Sequence, residues 1–418
     1  MNILFLSPWL PWPPHDGARI RIFETLRYLS QRNSITLLTT IRHPEEVKYK
    51  SALNGLCKKI VTTVLPNDTP PVLQRFSMGL VRRMPLIQSF HYDSNLAQKV
   101  HQLTCQESYD IIHIEFPFLA PYLGAVSSRS RAKKVLSMHN IESIRFAREL
   151  GCPTYNGRWL AIQYDRLFFE SWEKRAIRRF DGITAVSEVE KDWIQHHAPG
   201  ARVEVVPNGV DTEYFCPNRP WKGSASLVFT GLMDHPPNVD AAVWFCNEIL
   251  PELRRKIPHL SFKIVGRRPH PKILELGKKD GVQVTGEVVD IRPYLAESSA
   301  LVVPLRSGGG TRLKILEAMA MGRPVISTRL GAEGLDVTPE VNILIADTPD
   351  QFVNHILFLL ASPETASRLG TAGRQLVVDK YGWPLCLRRL ENLYDRLMGN
   401  SLVLPTSIVP MRERNSRA

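Results

Sequence analysis

Short apolar runs rich in Val, Ile and Leu recur along the chain, and amphipathic stretches fill many of the gaps between them. One series comprises Ile3–Ser7, Ser34–Thr39, Ile60–Val64, Ile111–Ile114, Val135–Met138, Ile183–Val186 and Val203–Val206. A second comprises Leu227–Thr230, Ser261–Val265, Val282–Thr285, Ala300–Val303, Val325–Ser327 and Ile343–Ile345. These runs do not alternate strictly between apolar and polar residues, which suits strands buried on both faces of a parallel sheet. Between the first two, Arg21–Ser30 places Ile22, Phe23, Leu26 and Leu29 on one helical face. Strand–helix repetition predicts doubly wound α/β domains. Ligands of such sheets bind beyond the carboxyl ends of the strands, so residues just after the apolar runs are the first candidates for chemistry.

A chain of 418 residues exceeds one ordinary core and predicts two domains. The boundary falls in Pro207–Ser226, where Asn208-Gly209 is turn chemistry and Pro217, Pro220, Gly223 and Ser224 precede the next strand. The expected division is a first domain over 1–206, a second over 207–376, a helix over 377–400 returning to the first, and a disordered tail over 401–418.

Composition narrows the class. With 44% hydrophobic and 22% charged residues the chain reads as soluble and globular, and no run approaches the roughly 20 apolar residues of a membrane span. Met1–Ser7 is apolar but is followed by Trp9, Pro11, Trp12, Pro13 and Pro14, and it reads as a buried strand, not a signal peptide. Cys57, Cys105, Cys152, Cys216, Cys246 and Cys386 are scattered without CxxC spacing, which suits reduced thiols in a cytoplasmic protein. The net charge of +12 is uneven: residues 1–180 hold 25 Lys and Arg against 14 Asp and Glu. That basic half is read as a surface for an anionic membrane or an acidic acceptor, ahead of a solvated face without a partner and of nucleic acid.

The densest local chemistry lies in Pro304-Leu-Arg-Ser-Gly-Gly-Gly-Thr-Arg-Leu-Lys-Ile-Leu-Glu317, between a strand and an apolar helix reaching about Met321. Gly308, Gly309 and Gly310 permit close backbone approach and positive φ. Thr311 is placed to cap the helix, whose first N–H groups and positive dipole end form an anion site. Arg312 and Lys314 add cationic side chains there. Together these are the parts a pyrophosphate needs; the plainer alternative is a tight strand–helix turn with surface basics. Glu317 sits among Ile315, Leu316, Ala318, Met319, Ala320 and Met321. A carboxylate so surrounded needs donors, either ribose hydroxyls or a structural cation such as Arg312 or Arg323.

Other candidates are weaker alone. Pro13-Pro14-His15-Asp16-Gly17 follows the first strand, and Gly17 suits a phosphate or acceptor group before a helix starting near Arg19. His139 follows the strand Val135–Met138, His113 and Glu115 end another, and the latter two read as core or acceptor-cleft residues. Arg267 and Arg268 stand at a strand end, open to a diphosphate or to solvent. His196-His197 lacks metal-ligand spacing, so no essential metal is expected, and neither a GxSxG nor a P-loop motif occurs.

Here the chain resembles a family, the retaining GT-B glycosyltransferases often called glycosyl transferases group 1. The resemblance is carried by Glu317-Ala-Met-Ala-Met-Gly322-Arg-Pro324-Val, with echoes in Val206-Pro-Asn-Gly-Val-Asp211, Ala185-Val-Ser-Glu188, Phe229-Thr-Gly231, Ile264-Val-Gly266, Gly331-Ala-Glu-Gly334 and Tyr381-Gly-Trp383. It implies two Rossmann-like domains facing across a cleft, and transfer of a sugar from a UDP- or GDP-linked donor with retention of configuration, without metal or cofactor. It also implies a glycan or lipid-linked acceptor. The implied leaving phosphate sits on Gly310, Thr311, Arg312 and Leu313, with Glu317 on the ribose, Gly17 and Gly231 beside the donor, and His139 as the catalytic contact to the sugar. Two positions depart from the family. Its first Glu, eight positions before Glu317, is Gly309 here, so sugar contact passes to glycine-loop N–H groups or another side chain. The phosphate-binding Arg and Lys after the first strand of the second domain are absent from Gly231–Asn238, and Arg312 and Lys314 are the expected replacements. The Gly-Gly-Gly-Thr-Arg-Leu-Lys loop resembles a subgroup associated with exopolysaccharide synthesis. A sugar-nucleotide epimerase of the same fold and a non-catalytic binding subunit are the alternative readings.

Overall fold

The computed structural model describes residues 1–65, 92–149, 159–217, 225–310 and 312–400, and the expected tail at 401–418 lies outside them. Its contacts divide the chain into two compact units. One holds Met1–His139, Leu167–Val206 and Pro384–Ala418; the other holds Asn140–Arg166 and Pro207–Trp383. The switch at Val206/Pro207 falls where turn chemistry begins.

The first unit is built on a parallel sheet of seven strands: β1 (Asn2–Ser7), β2 (Ser34–Ile41), β3 (Lys59–Val64), β4 (Ile111–Glu115), β5 (Lys133–Ser137), β6 (Gly182–Ala185) and β7 (Arg202–Val205). Their order is β3-β2-β1-β4-β5-β6-β7, so the winding reverses between β1 and β4. Ile3, Leu4, Phe5, Ile111, Ile112 and Ile114 are fully buried, as runs covered on both faces must be. The helix Gly17–Leu29 follows β1 and buries Ile22, Leu26 and Leu29.

The second unit repeats the scheme with β8 (Ser226–Thr230), β9 (Ser261–Val265), β10 (Val282–Gly286), β11 (Ala300–Val303), β12 (Val325–Ser327) and β13 (Leu344–Ile345). Their order is β10-β9-β8-β11-β12-β13, with the reversal between β8 and β11. Each apolar run named from the sequence corresponds to one of these strands.

The domain expectation needs two amendments. Residues 140–166 group with the second unit and interrupt the continuous 1–206 domain. Within that unit Arg148, on the helix Glu142–Glu149, pairs with Glu333 through both guanidinium amino groups, Nη2 to Oε1 at 2.9 Å. The proposed boundary at 377 also falls inside the helix Pro363–Lys380, which stays with the second unit. The next helix, Trp383–Met398, contributes Pro384 onward to the first unit. Its Leu393 and Leu397 lie against Gly182, and its Glu391 accepts a hydrogen bond from Tyr28 at 3.1 Å.

Candidate functional site

In the second unit the loops after β8 and β11 leave neighbouring strands at the winding reversal, the place where open α/β sheets bind ligands. After β11 the chain runs through Gly308 (φ 109°) and Gly310 (φ 73°), conformations that favour glycine, into the helix Leu313–Ala320. The N-cap is Arg312, not Thr311, which lies outside the described residues. Arg312 Nη1 donates to the Gly309 carbonyl, so the arginine folds back over its own loop. Leu313 opens the helix and presents one of its unpaired first-turn N–H groups.

Lys314 extends onto the other loop. Its Nζ donates to Asn238 Oδ1 at 3.0 Å and stands 4.1 Å from the centre of the Phe229 ring. Asn238 is held in turn by donating to the Leu232 carbonyl at 2.9 Å. This close fit explains Gly231: a Cβ there would lie 2.9 Å from both Lys314 Nζ and Asn238 Nδ2.

Burial and charge set the protonation. Burial, aided by the Arg312 charge, lowers the half-buried Lys314 ammonium to about 7. Burial raises the Glu317 carboxyl to about 7 against the pull of Lys314. The Glu317 carboxylate has no hydrogen bond or ion pair among the described residues, its backbone carbonyl accepting from Met321 N at 3.1 Å, so neither Arg312 nor Arg323 serves as its structural partner. Arg312 is lowered to about 10 by burial, with Glu333 opposing and Arg148 reinforcing that shift. His235 is lowered to about 4 by burial and then by Arg145, Arg312 and Lys314. These cations converge on one place, and an imidazole beside them stays neutral.

Arg267 follows β9, and its backbone carbonyl accepts from Met233 N at 3.0 Å, which ties it to the loop after β8. Its Nε and Nη1 are buried without a hydrogen-bond partner, and the Glu287 carboxylate is 4.0 Å from Nη1. Arg268 instead pairs with Asp234. Gly309 lies under the segment after β5: a Cβ there would be 3.2 Å from Asn140 Oδ1 and 3.7 Å from Arg145 Cβ.

Thus Gly231, Gly309, Gly310, Arg312, Leu313, Lys314 and Glu317 share the two loops at the β8–β11 reversal, with Arg267 on the next loop. Gly17 and His139 belong to the first unit. The helix expected near Arg19 begins at Gly17, and Asp16 caps it by accepting from Arg19 N at 2.9 Å. That carboxylate already occupies the donor-rich helix start, which disfavours a phosphate there. His139 follows β5, is 8% exposed, and donates from Nε2 to Glu115 Oε2 at 2.6 Å, with the Phe116 ring stacked on it at 4.0 Å. Sequence reading missed the parts played by Asn238, Phe229, His235 and Arg145. Asn238 followed the Gly231 loop in plain sight, but nothing local marked it as the acceptor for a lysine 76 residues away.

Two family profiles match consecutive parts of the chain: "Glycosyltransferase Family 4" over residues 15–214 and "Glycosyl transferases group 1" over residues 224–362. Together they span well over half of the sequence, and the chain belongs to the GT-B glycosyltransferases. Among curated relatives, an uncharacterized 44.6 kDa protein in the cps region of Klebsiella pneumoniae is 21% identical over 85% of this chain and 90% of its own length. A GDP-mannose-dependent alpha-(1-6)-phosphatidylinositol monomannoside mannosyltransferase of Mycolicibacterium smegmatis is 26% identical over 63% of this chain and 79% of its own. Among solved structures, sucrose-phosphate synthase from Thermosynechococcus elongatus superposes with a TM-score of 0.71 at 18% identity, covering 96% of this chain and 99% of that one. Anabaena HepE, solved with UDP and glucose, gives a TM-score of 0.63 at 15% identity, covering 94% and 98%. The structural likenesses bear on the fold. No helix among the described residues is long and apolar enough to cross a membrane.

Proposed function

We propose that this glycosyltransferase takes a sugar from a UDP- or GDP-linked donor and transfers it, with retention of configuration, to a glycan or lipid-linked acceptor in cell-surface or exopolysaccharide synthesis. The observation that carries the donor reading is the pairing of Lys314 with Asn238 beside Gly231, one helical turn from the partnerless Glu317. A diphosphate placed there meets Lys314, Arg312 and the N–H groups opening the helix at Leu313 and Lys314, while the ribose hydroxyls donate to Glu317. Lys314 thereby takes the place of the basic residues missing after β8. Arg267 brings from the next loop two buried donors, Nε and Nη1, without a hydrogen-bond partner, Nη1 lying 4.0 Å from Glu287.

The chemical task is to stabilise a departing diphosphate and a cationic sugar, which is electrostatic work for groups already in place. This reading assigns that work to the chain's own cations and helix start, with no cofactor. Gly309 has no carboxylate, so a covalent intermediate there is not invoked, and His139 is assigned the contact to the transferred sugar. Support for the polysaccharide setting is the relative from the cps region of Klebsiella pneumoniae, and support for a lipid-linked acceptor is the phosphatidylinositol monomannoside mannosyltransferase. The uneven charge suits docking of the first 180 residues on an anionic membrane. A thermal-shift screen of UDP- and GDP-sugars on the full chain tests the donor assignment, since a ligand bound only to the folded state raises its stability. One nucleotide series stabilising the wild type and failing with Lys314→Met is the expected result.

A further inference from the structure

Deep in the first unit a chain of hydrogen bonds ends on His139. Glu115, the last residue of β4, is wholly buried and has both carboxylate oxygens engaged. Oε2 faces His139 Nε2 at 2.6 Å, and Oε1 faces His113 Nε2 at 3.1 Å. His113 precedes Glu115 by two residues on the same strand, so both side chains leave on one face. The other His113 nitrogen, Nδ1, lies 2.6 Å from the hydroxyl of Tyr394 on the helix Trp383–Met398. His113 and Tyr394 are also fully buried. Phe5 stacks on His113 at 4.5 Å, and Phe116, held at φ 70°, stacks on His139.

The chemistry orders the protons. Burial alone would raise the Glu115 carboxyl, but hydrogen bonds from His113 and His139 hold it below the usual carboxylate range. An ionised carboxylate only accepts, so each histidine donates to it from Nε2. His113 Nδ1 must then accept the Tyr394 hydroxyl proton, which burial keeps in place by raising that phenol well above its ordinary value. Arg21, 2% exposed, is the nearby counter-charge: burial lowers its guanidinium, and Glu115 leads the charges that oppose the shift.

We propose that Tyr394, His113 and Glu115 are positioning residues that fix the ring orientation and tautomer of His139, tying the last helix of the chain to the sugar-contacting histidine. The inference rests on the assignment of His139 to sugar contact. A buried carboxylate that merely joined a helix to a strand is a poor stabiliser, since apolar residues of similar volume commonly do as well or better. A relay gives these polar groups a reason to be there.

The test uses full-length protein with 15N-labelled histidine side chains, the His139 ring signals being assigned by their loss in His139→Gln. The wild type is expected to show His139 with its proton on Nε2. Glu115→Gln should yield a mixture of tautomers, and Tyr394→Phe a smaller shift in the same His139 signals in a protein that still folds but melts lower, because His113 Nδ1 loses its buried donor. With a donor identified by the UDP- and GDP-sugar screen, Tyr394→Phe should lower kcat about tenfold at unchanged donor affinity. The double variant Glu115→Gln/His139→Ala should be no slower than His139→Ala. Unmoved His139 signals in folded Tyr394→Phe overturn the relay, as does a Glu115→Gln loss that adds in full to that of His139→Ala. If Glu115→Gln does not fold, Tyr394→Phe decides alone. The spectra need no substrate, so failure of the transfer reading and failure of the relay are told apart.

Discussion

Glu317→Gln should make the free protein more stable while making it a poorer binder of its donor. A carboxyl raised from 4.5 to about 7 on folding destabilises the native state wherever the unfolded chain is ionised, that is above pH 4.5. The penalty grows as pH rises to 7 and is then constant. Its ceiling is ~3.5 kcal/mol, from 2.5 units at ~1.4 kcal/mol each. Glu317 is half-buried, and solvent screening reduces this to ~1–2 kcal/mol. At pH 8.5 Lys314, lowered to about 7, is largely uncharged, so removing its neighbour's charge forfeits little attraction. The substitution should then raise the Tm by about 3 °C at pH 8.5. At pH 4.5 the gain should shrink to a few tenths of a kcal/mol, roughly 1 °C or less. Thermal melts of both proteins at the two pH values provide the readout. Nucleoside diphosphate affinity should fall about tenfold, because an amide accepts from ribose hydroxyls more weakly than a carboxylate. An unchanged or lower Tm at pH 8.5 would show that Glu317 already has a structural partner and would remove the ribose argument.

Three further outcomes follow from the same loops. Free Lys314 titrates near 7 and a bound diphosphate holds its proton, so Kd for UDP or GDP should rise above pH 7, by at most tenfold per unit; calorimetry with Lys314→Met should show this component of the pH dependence gone. Gly231→Ala puts a methyl 2.9 Å from Lys314 Nζ and Asn238 Nδ2, on a backbone at φ 151° that favours glycine, and should weaken nucleotide binding about tenfold while lowering the Tm; unchanged affinity would mean that the lysine shifts freely. Arg312→Ala should weaken the same ligand about tenfold in a fluorescence titration, and an unaffected Kd would place the guanidinium outside the phosphate site.

The strands were legible because parallel sheets demand continuous apolar runs, and those runs survive inspection one at a time. The glycine loop after β11 stood out because three glycines, two cations and a carboxylate fall within ten residues. Contacts set by topology were not. Lys314 reaches Asn238 because the winding places β8 beside β11, 70 residues apart in sequence, and no local pattern encodes that adjacency. Glu115 and His113 stayed undecided for a similar reason: their meaning comes from His139 on β5's end and Tyr394 on the last helix. Gly17 was read for the close approach it allows, while Asp16, one residue earlier, is the N-cap and accepts from Arg19 N. Residues 140–166 group with the second unit, where Arg148 meets Glu333 across 185 residues, a pairing that neither helix nor strand periodicity reports.

The central claim is that the loops after β8 and β11 hold a nucleotide-sugar donor for transfer. The most direct measurement incubates the full chain with a panel of radiolabelled UDP- and GDP-sugars and a membrane and polysaccharide extract as acceptor. Product configuration at the sugar's first carbon is then read by NMR. Label transfer is expected from one nucleotide series with the donor's configuration retained, lost with Lys314→Met and greatly slowed with His139→Ala. Donor binding without any transfer, or a product of inverted configuration, would contradict it.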